Sequence, residues 1–160
     1  MIENPASGEQ IRILTTGEET GGQLLAFELH LEAGGHVPAS HLHPAQEETF
    51  SGLQGRLRLR VGRRVRVLCP GDVATVPAGV AHGFSNSGPG PAVVRVEVRP
   101  ALRTAEMLEA AALLGERPSP LSLARFLSYF AAEVRAPLLP GVVARVARML
   151  ARLCGESSAS

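Results

Sequence analysis

The chain contains no lysine; all 16 of its basic residues are arginines. Without a side-chain primary amine, lysine Schiff-base chemistry is excluded. Aspartate occurs once, at Asp72 in a glycine-rich turn. That argues against a Ser-His-Asp triad, although a glutamate can stand in for the aspartate. Cys69 and Cys154 are the only cysteines, far apart and in no metal-like spacing. They are read as buried or free thiols of a cytoplasmic protein, not as a disulfide or zinc framework. The net charge is +1, so no basic excess points to nucleic acid or to an anionic membrane. No apolar run approaches the length of a membrane span. The first ten residues lack the basic start and apolar core of a signal peptide.

What is present fits one domain, or one domain with an appendage: 160 residues, 45% hydrophobic and 19% charged, enough to bury a core. The stretch from Gly35 to Gly55 stands out. His41 and His43 are two apart, and in an extended strand residues i and i+2 face the same side, so both imidazoles can aim at one point. Glu47 and Glu48 follow, close enough to return a carboxylate; alternation of faces lets only one of the two point inward. Two imidazoles and a carboxylate with open positions suit Fe(II), Mn, Ni, Co or Zn. A His-x-His pair alone is a weak signal and is more often a pair of ordinary loop histidines. A second stretch, Gly71 to Asn86, adds a turn signal at Pro77-Ala78-Gly79 and a third histidine, His82.

Written as spacings, the first stretch is Gly35-x5-His41-x-His43-x4-Glu48-x6-Gly55, and the second is Gly71-x5-Pro77-x-Gly79-x2-His82-x3-Asn86, with 15 residues between them. These match the two sequence motifs of the cupin superfamily at every fixed position, and the chain resembles a small single-domain bacterial cupin with a helical tail. The resemblance covers roughly residues 10–100. It implies a mainly β fold, a single jelly-roll β-barrel of roughly six to eight strands. It also implies that His41, His43, Glu48 and His82 bind one divalent transition metal per chain. Glu47 is then the outward neighbour. Homodimerisation through a barrel sheet is a further expectation by resemblance.

In chain order, residues 1–9 read as an irregular arm and Ile11–Leu14 as a short strand. In Gln23–Leu31, Leu25, Phe27, Leu29 and Leu31 share one face, which predicts a half-buried strand with His30 on its polar side. His36 reads as a solvated loop histidine. Glu47–Leu53 is predicted to be a strand with Phe50 lining the pocket. Arginines alternate with Leu57, Leu59, Val61, Val65 and Val67 around a Gly62-Arg63 turn, the pattern of a half-buried hairpin whose six arginines are solvated and partly paired with Glu97 and other carboxylates. Val73–Val76, His82–Ser85 and Val93–Val98 complete the strands. Beyond about residue 102 the composition turns to helix formers. Three helices are expected: Arg103–Leu114 with Gly115 as its cap, Ser122 to about Arg135 with Leu123, Phe126, Leu127, Phe130 and Val134 in one stripe, and Pro140 to about Cys154. The divisions read from the sequence are a barrel over 1–101, a helical extension over 102–155 and a disordered tail over 156–160.

The function expected is that of a metal-binding protein, acting as a metal-dependent oxygenase or isomerase on a small organic molecule. The alternative is a non-catalytic module that binds or senses a small molecule. Besides the four donors, Glu28, His30 and Tyr129 are the only candidates for acids or bases in the pocket. Expected partners are a small-molecule ligand and a second copy of the chain, with no nucleic acid and no stable membrane insertion.

Overall fold

The computed structural model describes residues 1–4, 7–37, 40–115 and 118–137. The expected third helix, Pro140 to Cys154, and the tail lie outside these residues. Nine strands run in chain order: β1 (Ile2–Asn4), β2 (Glu9–Thr15), β3 (Leu25–Leu31), β4 (Glu47–Gln54), β5 (Leu57–Val61), β6 (Arg64–Leu68), β7 (Val73–Val76), β8 (His82–Asn86) and β9 (Ala92–Arg99). Two helices follow, α1 (Thr104–Leu113) and α2 (Pro120–Tyr129).

The strands form two antiparallel sheets. One has six strands in the order β1-β2-β3-β9-β4-β7, and the other has three in the order β6-β5-β8. The expectation of one closed barrel of six to eight strands is therefore corrected: among the described residues no continuous ladder joins the sheets, which form a two-sheet jelly roll. Isolated bridges His36↔Ser85 and His41↔His82 tie the loop before β4 to β8.

Alternation builds the core. Leu25, Leu29 and Leu31 of β3 are each 1% exposed, and Val96 and Val98 of β9 and Phe50 of β4 are fully buried. The register sets Phe27 and Phe50 on either side of Val96, so three neighbouring strands present apolar groups to the same interior. Leu57 and Leu59 of β5 close it from the other sheet. Fully burying each such side chain contributes about 1.5–3 kcal/mol. The chain crosses between the sheets at Gly55, where φ is +71° and an added Cβ would collide with the Pro91 carbonyl. Only glycine suits that backbone.

Four further expectations are corrected. Residues 1–9 are not wholly irregular, since Ile2–Asn4 pairs with β2 through Ile2↔Ile11 and Asn4↔Glu9. The hairpin is half-buried only in β5; Val65 and Val67 of β6 are 48% and 44% exposed, because β6 is an edge strand. Glu97 pairs with Arg95 and Arg99 of its own strand, whereas Arg66 of the hairpin lies 3.8 Å from Asp72. The N-cap of α2 is Ser119, whose hydroxyl accepts from the Ser122 N–H, with Pro120 opening the helix. Gly115, at φ +72°, follows α1 in the left-handed conformation common just after a helix end.

The link between barrel and helices is polar and buried. Gln46, 1% exposed, donates through Nε2 to the carbonyls of Pro100 and Ala101 and to Thr104 Oγ1 at 2.8, 3.2 and 2.7 Å. Among the described residues no helix is long and apolar enough to cross a membrane.

Candidate metal centre

The four side chains singled out by spacing come together. One donor atom from each of His41, His43, Glu48 and His82 lies within 4.8 Å of the others. His43, Glu48 and His82 are buried, and His41 is partly so. Each is placed by backbone. His41 and His82 exchange main-chain hydrogen bonds, N–H to carbonyl in both directions, at 3.0 and 2.8 Å. The Gly79 N–H donates to the His43 carbonyl at 2.8 Å, so the turn of the second motif holds the loop of the first. That turn needs φ of +75° at Gly79, which glycine adopts without steric cost. Glu48 lies in β4, paired with Val76 and Val98. The pleat that buries Glu48 turns Glu47 outward, where it is exposed.

The imidazoles are oriented from behind. His43 Nδ1 is 2.6 Å from the Glu133 carbonyl, and His82 Nδ1 is 3.0 Å from the Val80 carbonyl. A carbonyl only accepts, so both Nδ1 atoms carry protons and each neutral ring directs an Nε2 lone pair into the cluster. His82 Nε2 is then 2.8 Å from Glu48 Oε2, and His43 Nε2 is 3.5 Å from the same oxygen. His43 Nε2 is buried and has no hydrogen-bond partner. Acceptors facing acceptors in a buried space need a cation between them, whether a proton or a metal ion. This donor set of three imidazoles and one carboxylate fits a divalent transition metal.

The electrostatics agree. Burial alone would raise Glu48, but the imidazoles of His43 and His82 outweigh it and hold the carboxyl well below the usual carboxylate range. Burial alone would lower His43; the Glu48 carboxylate and the Glu133 carbonyl outweigh it and leave His43 raised.

Three of the four donors, His41, His43 and Glu48, line a cavity of about 340 Å³ between the strands and the helices, and the fully buried His82 lies behind them. Phe50 lines it, as expected, and so does Phe84. Nearly half of its wall comes from residues after Ala101, including Met107 of α1 and Phe126 and Leu127 of α2. A wider hollow on the outer side of α1 and α2 is open to solvent, and no described metal-ligating side chain lines it.

The candidate acids and bases are elsewhere. Glu28 lies on the outer face of β3, 2.7 Å from Arg12, with His30 3.4 Å from it. Tyr129 is 61% exposed beneath the Arg103 guanidinium. None of the three lines the cavity. Sequence reading missed two others. Glu9 is buried in the cavity wall, its Oε2 accepting from Ser7 Oγ and Asn4 Nδ2. The alternation of Glu9, Ile11 and Ile13 was the available signal. Glu133 is 2% exposed and holds His43 through its main chain and Arg103 through its side chain. Nothing local announces that role.

Residues 27–98 match the family model of the cupin domain. Among solved structures, a protein of Thermus thermophilus is 27% identical, the match covering 61% of this chain and 87% of that one, with a TM-score of 0.54. An uncharacterized conserved protein with a double-stranded β-helix domain from Klebsiella pneumoniae is 26% identical over 63% of this chain and 85% of that one, also at 0.54. A sugar phosphate isomerase of Silicibacter pomeroyi is 29% identical over 59% and 60%, at 0.50. No curated protein matches the chain.

Proposed function

Because the chain belongs to the cupin superfamily, we propose that it is a metal-dependent protein acting on a small organic molecule as an oxygenase or isomerase. His41, His43, Glu48 and His82 hold one divalent ion, Fe, Mn, Ni, Co or Zn, leaving positions open toward the cavity. The observation that carries this reading is the buried, unpartnered Nε2 of His43 facing the Glu48 carboxylate. When bound, such an ion supplies Lewis acidity and, if redox-active, electron-transfer chemistry. The protein's own part is positional. The Glu133 and Val80 carbonyls fix the tautomers of His43 and His82. The apolar wall excludes water and strengthens electrostatic effects at the centre. The likeness to a protein named as a sugar phosphate isomerase favours isomerisation.

A second reading, a non-catalytic binding module, draws support from the scarcity of proton-transfer groups: apart from the four donors, Glu9 is the one acid or base among the described lining residues. The strands of residues 1–101 and the described part of the 102–155 extension, to residue 137, would act as one unit in either case. Homodimerisation through a sheet is part of the proposal, with the exposed Val65 and Val67 of β6 as the apolar surface available for it. A cytoplasmic location is also proposed.

The test is elemental analysis of protein purified without chelator or affinity-tag metal, beside a His41→Ala, His82→Ala double variant. About one equivalent of a transition metal per chain, lost in the variant, is the expected result. No metal in either protein, even after incubation with each ion, would overturn the proposal. Turnover in an oxygen-uptake or isomerisation screen separates the enzyme from the binding module.

A further inference from the structure

We infer that the ligand is a small, largely apolar molecule bringing no anionic group beyond the atoms that meet the four donors. This deepens the metal-centred reading above and rests on it for where the ligand is anchored.

Charge sets the first limit on the ligand. Among the described residues that line the cavity there is no arginine, and the chain has no lysine. Among the described lining residues, the only charged groups besides the imidazoles are two carboxyls, Glu9 and Glu48. A divalent ion with Glu48 keeps about one positive charge, enough for one anionic end. A second anionic group on the ligand, such as the phosphate of a sugar phosphate or the far carboxylate of a dicarboxylate, would be buried without a counter-charge, which is strongly unfavourable.

The surface of the cavity points the same way. The wall facing the donors is aliphatic and aromatic, with Ile11, Phe27 and Val96 from the strands and Met107, Phe126 and Leu127 from the helices or their ends. The volume of about 340 Å³ lies at the small end of the range of about 300–1,000 Å³ typical of small-molecule sites. Helices laid over a metal centre at such a wall favour an apolar body carrying a chelating polar end.

Besides the donors, the polar side chains among the described lining residues are Asn4, Thr104 and Glu9, and Glu9 alone of these is ionisable. Both hydrogen bonds to Glu9 fall on Oε2; among the described residues none bonds Oε1. Burial raises Glu9, outweighing the opposing Ser7, Asn4 and His36, and the Glu48 charge adds to the rise. Neutral, that carboxyl offers a hydrogen bond to a ligand oxygen; ionised, it repels an anion; in neither form does it supply a positive counter-charge.

The test is isothermal titration calorimetry on the full chain loaded with one equivalent of Zn(II). The probes are benzoylacetone, a diketone with an apolar body, and two dianions whose second charge lies away from the chelating end, glutarate and glucose 6-phosphate. Benzoylacetone is expected to bind at least about tenfold more tightly than either dianion. Ala111→Phe, which fills the α1 side of the cavity, is expected to weaken benzoylacetone about tenfold with metal content unchanged. Equal or tighter binding of either dianion would overturn the inference while leaving the metal centre standing. If the chain holds no metal, the metal-centred reading fails instead. Benzoylacetone binding to the metal-free chain, weakened by Ala111→Phe, would then still support an apolar ligand, and its absence would overturn it.

Discussion

His43 Nδ1 and the main-chain carbonyl of Glu133 lie 2.6 Å apart across 90 residues of chain. The segment after α2 is therefore a support of the candidate metal centre. Beside it, Leu42 and Arg135 exchange main-chain hydrogen bonds at 3.0 and 2.9 Å, so the helical extension grips the very loop that carries His41 and His43.

Arg103 should matter to metal binding without touching the centre. Its main-chain N–H and Nε donate to Glu133 Oε1, and its guanidinium donates to the Tyr129 carbonyl at 2.8 Å. Arg103→Met keeps the stem and the main-chain N–H but removes the guanidinium from Glu133 Oε1 and from the Tyr129 carbonyl, loosening the segment whose carbonyl orients His43. Metal affinity is expected to fall about tenfold, the usual cost of losing the outer support of a ligating histidine. Competition against a chromogenic chelator measures it, and unchanged affinity would refute the role.

Gln46 should be a stability residue. One buried amide satisfies three acceptors at the barrel–helix junction. Gln46→Leu removes the amide from the Pro100 carbonyl and the Thr104 hydroxyl, while the Ala101 carbonyl keeps the Thr104 N–H, and is expected to cost about 1–3 kcal/mol per group left unsatisfied, less what water recovers. Urea unfolding checks this; a shift of the midpoint within error would show that the junction is wetter than described.

Glu9 sets a pH dependence of known sign. Its folded value is raised, so the stability associated with its neutral form is complete below its ordinary value of 4.5 and is lost as pH rises through the folded value. Glu9→Gln is neutral throughout. The variant should match the parent protein in thermal midpoint near about pH 4 and exceed it by a growing margin toward neutrality. Parallel curves would contradict the burial of this carboxyl.

The metal-free and metal-loaded chains should respond to pH in opposite directions. In the metal-free chain the raised His43 stabilises below 6.5 and loses that contribution as pH climbs through its folded value. The lowered Glu48 stabilises above 4.5 and loses its contribution only as pH falls through its depressed value. The pair is thus most favourable between those limits, and the metal-free midpoint should drop from about pH 6 to about pH 9. Metal binding needs unprotonated imidazoles, so the stabilisation it adds should grow over the same range. Differential scanning fluorimetry with and without Zn(II) tests both halves.

Much of this architecture could be read from local pattern. A period of two placed Leu25, Phe27, Leu29 and Leu31 on one face, and the resemblance of the two motifs to those of cupins implied His41, His43, Glu48 and His82 as one set. Those signals are local because strand alternation is local. What escaped reading depends on tertiary neighbours. β1 is three residues long and exists only by pairing with β2. Val65 and Val67 alternate like core residues but sit on an edge strand where, among the described residues, they stay exposed. Ser119 and Ser122 both precede a helical pattern, and the fixed φ of Pro120, favourable at a first helical position, decides for Ser119. Glu133 carries no pattern at all, since its contribution to His43 is a backbone carbonyl that any residue would supply.

The donors come from the strands and their loops, whereas much of the wall they face comes from α1 and α2. Inheritance can therefore act on the two separately. Substitutions at Met107, Ala111 or Phe126 would retune what is admitted while leaving the chemistry of the centre intact, and a relative sharing every strand need not share the guest. On the proposed function, identity counted over the β-sheets would follow the donors, whereas the choice of guest would be shared between the strands and two short helices that such a count leaves out.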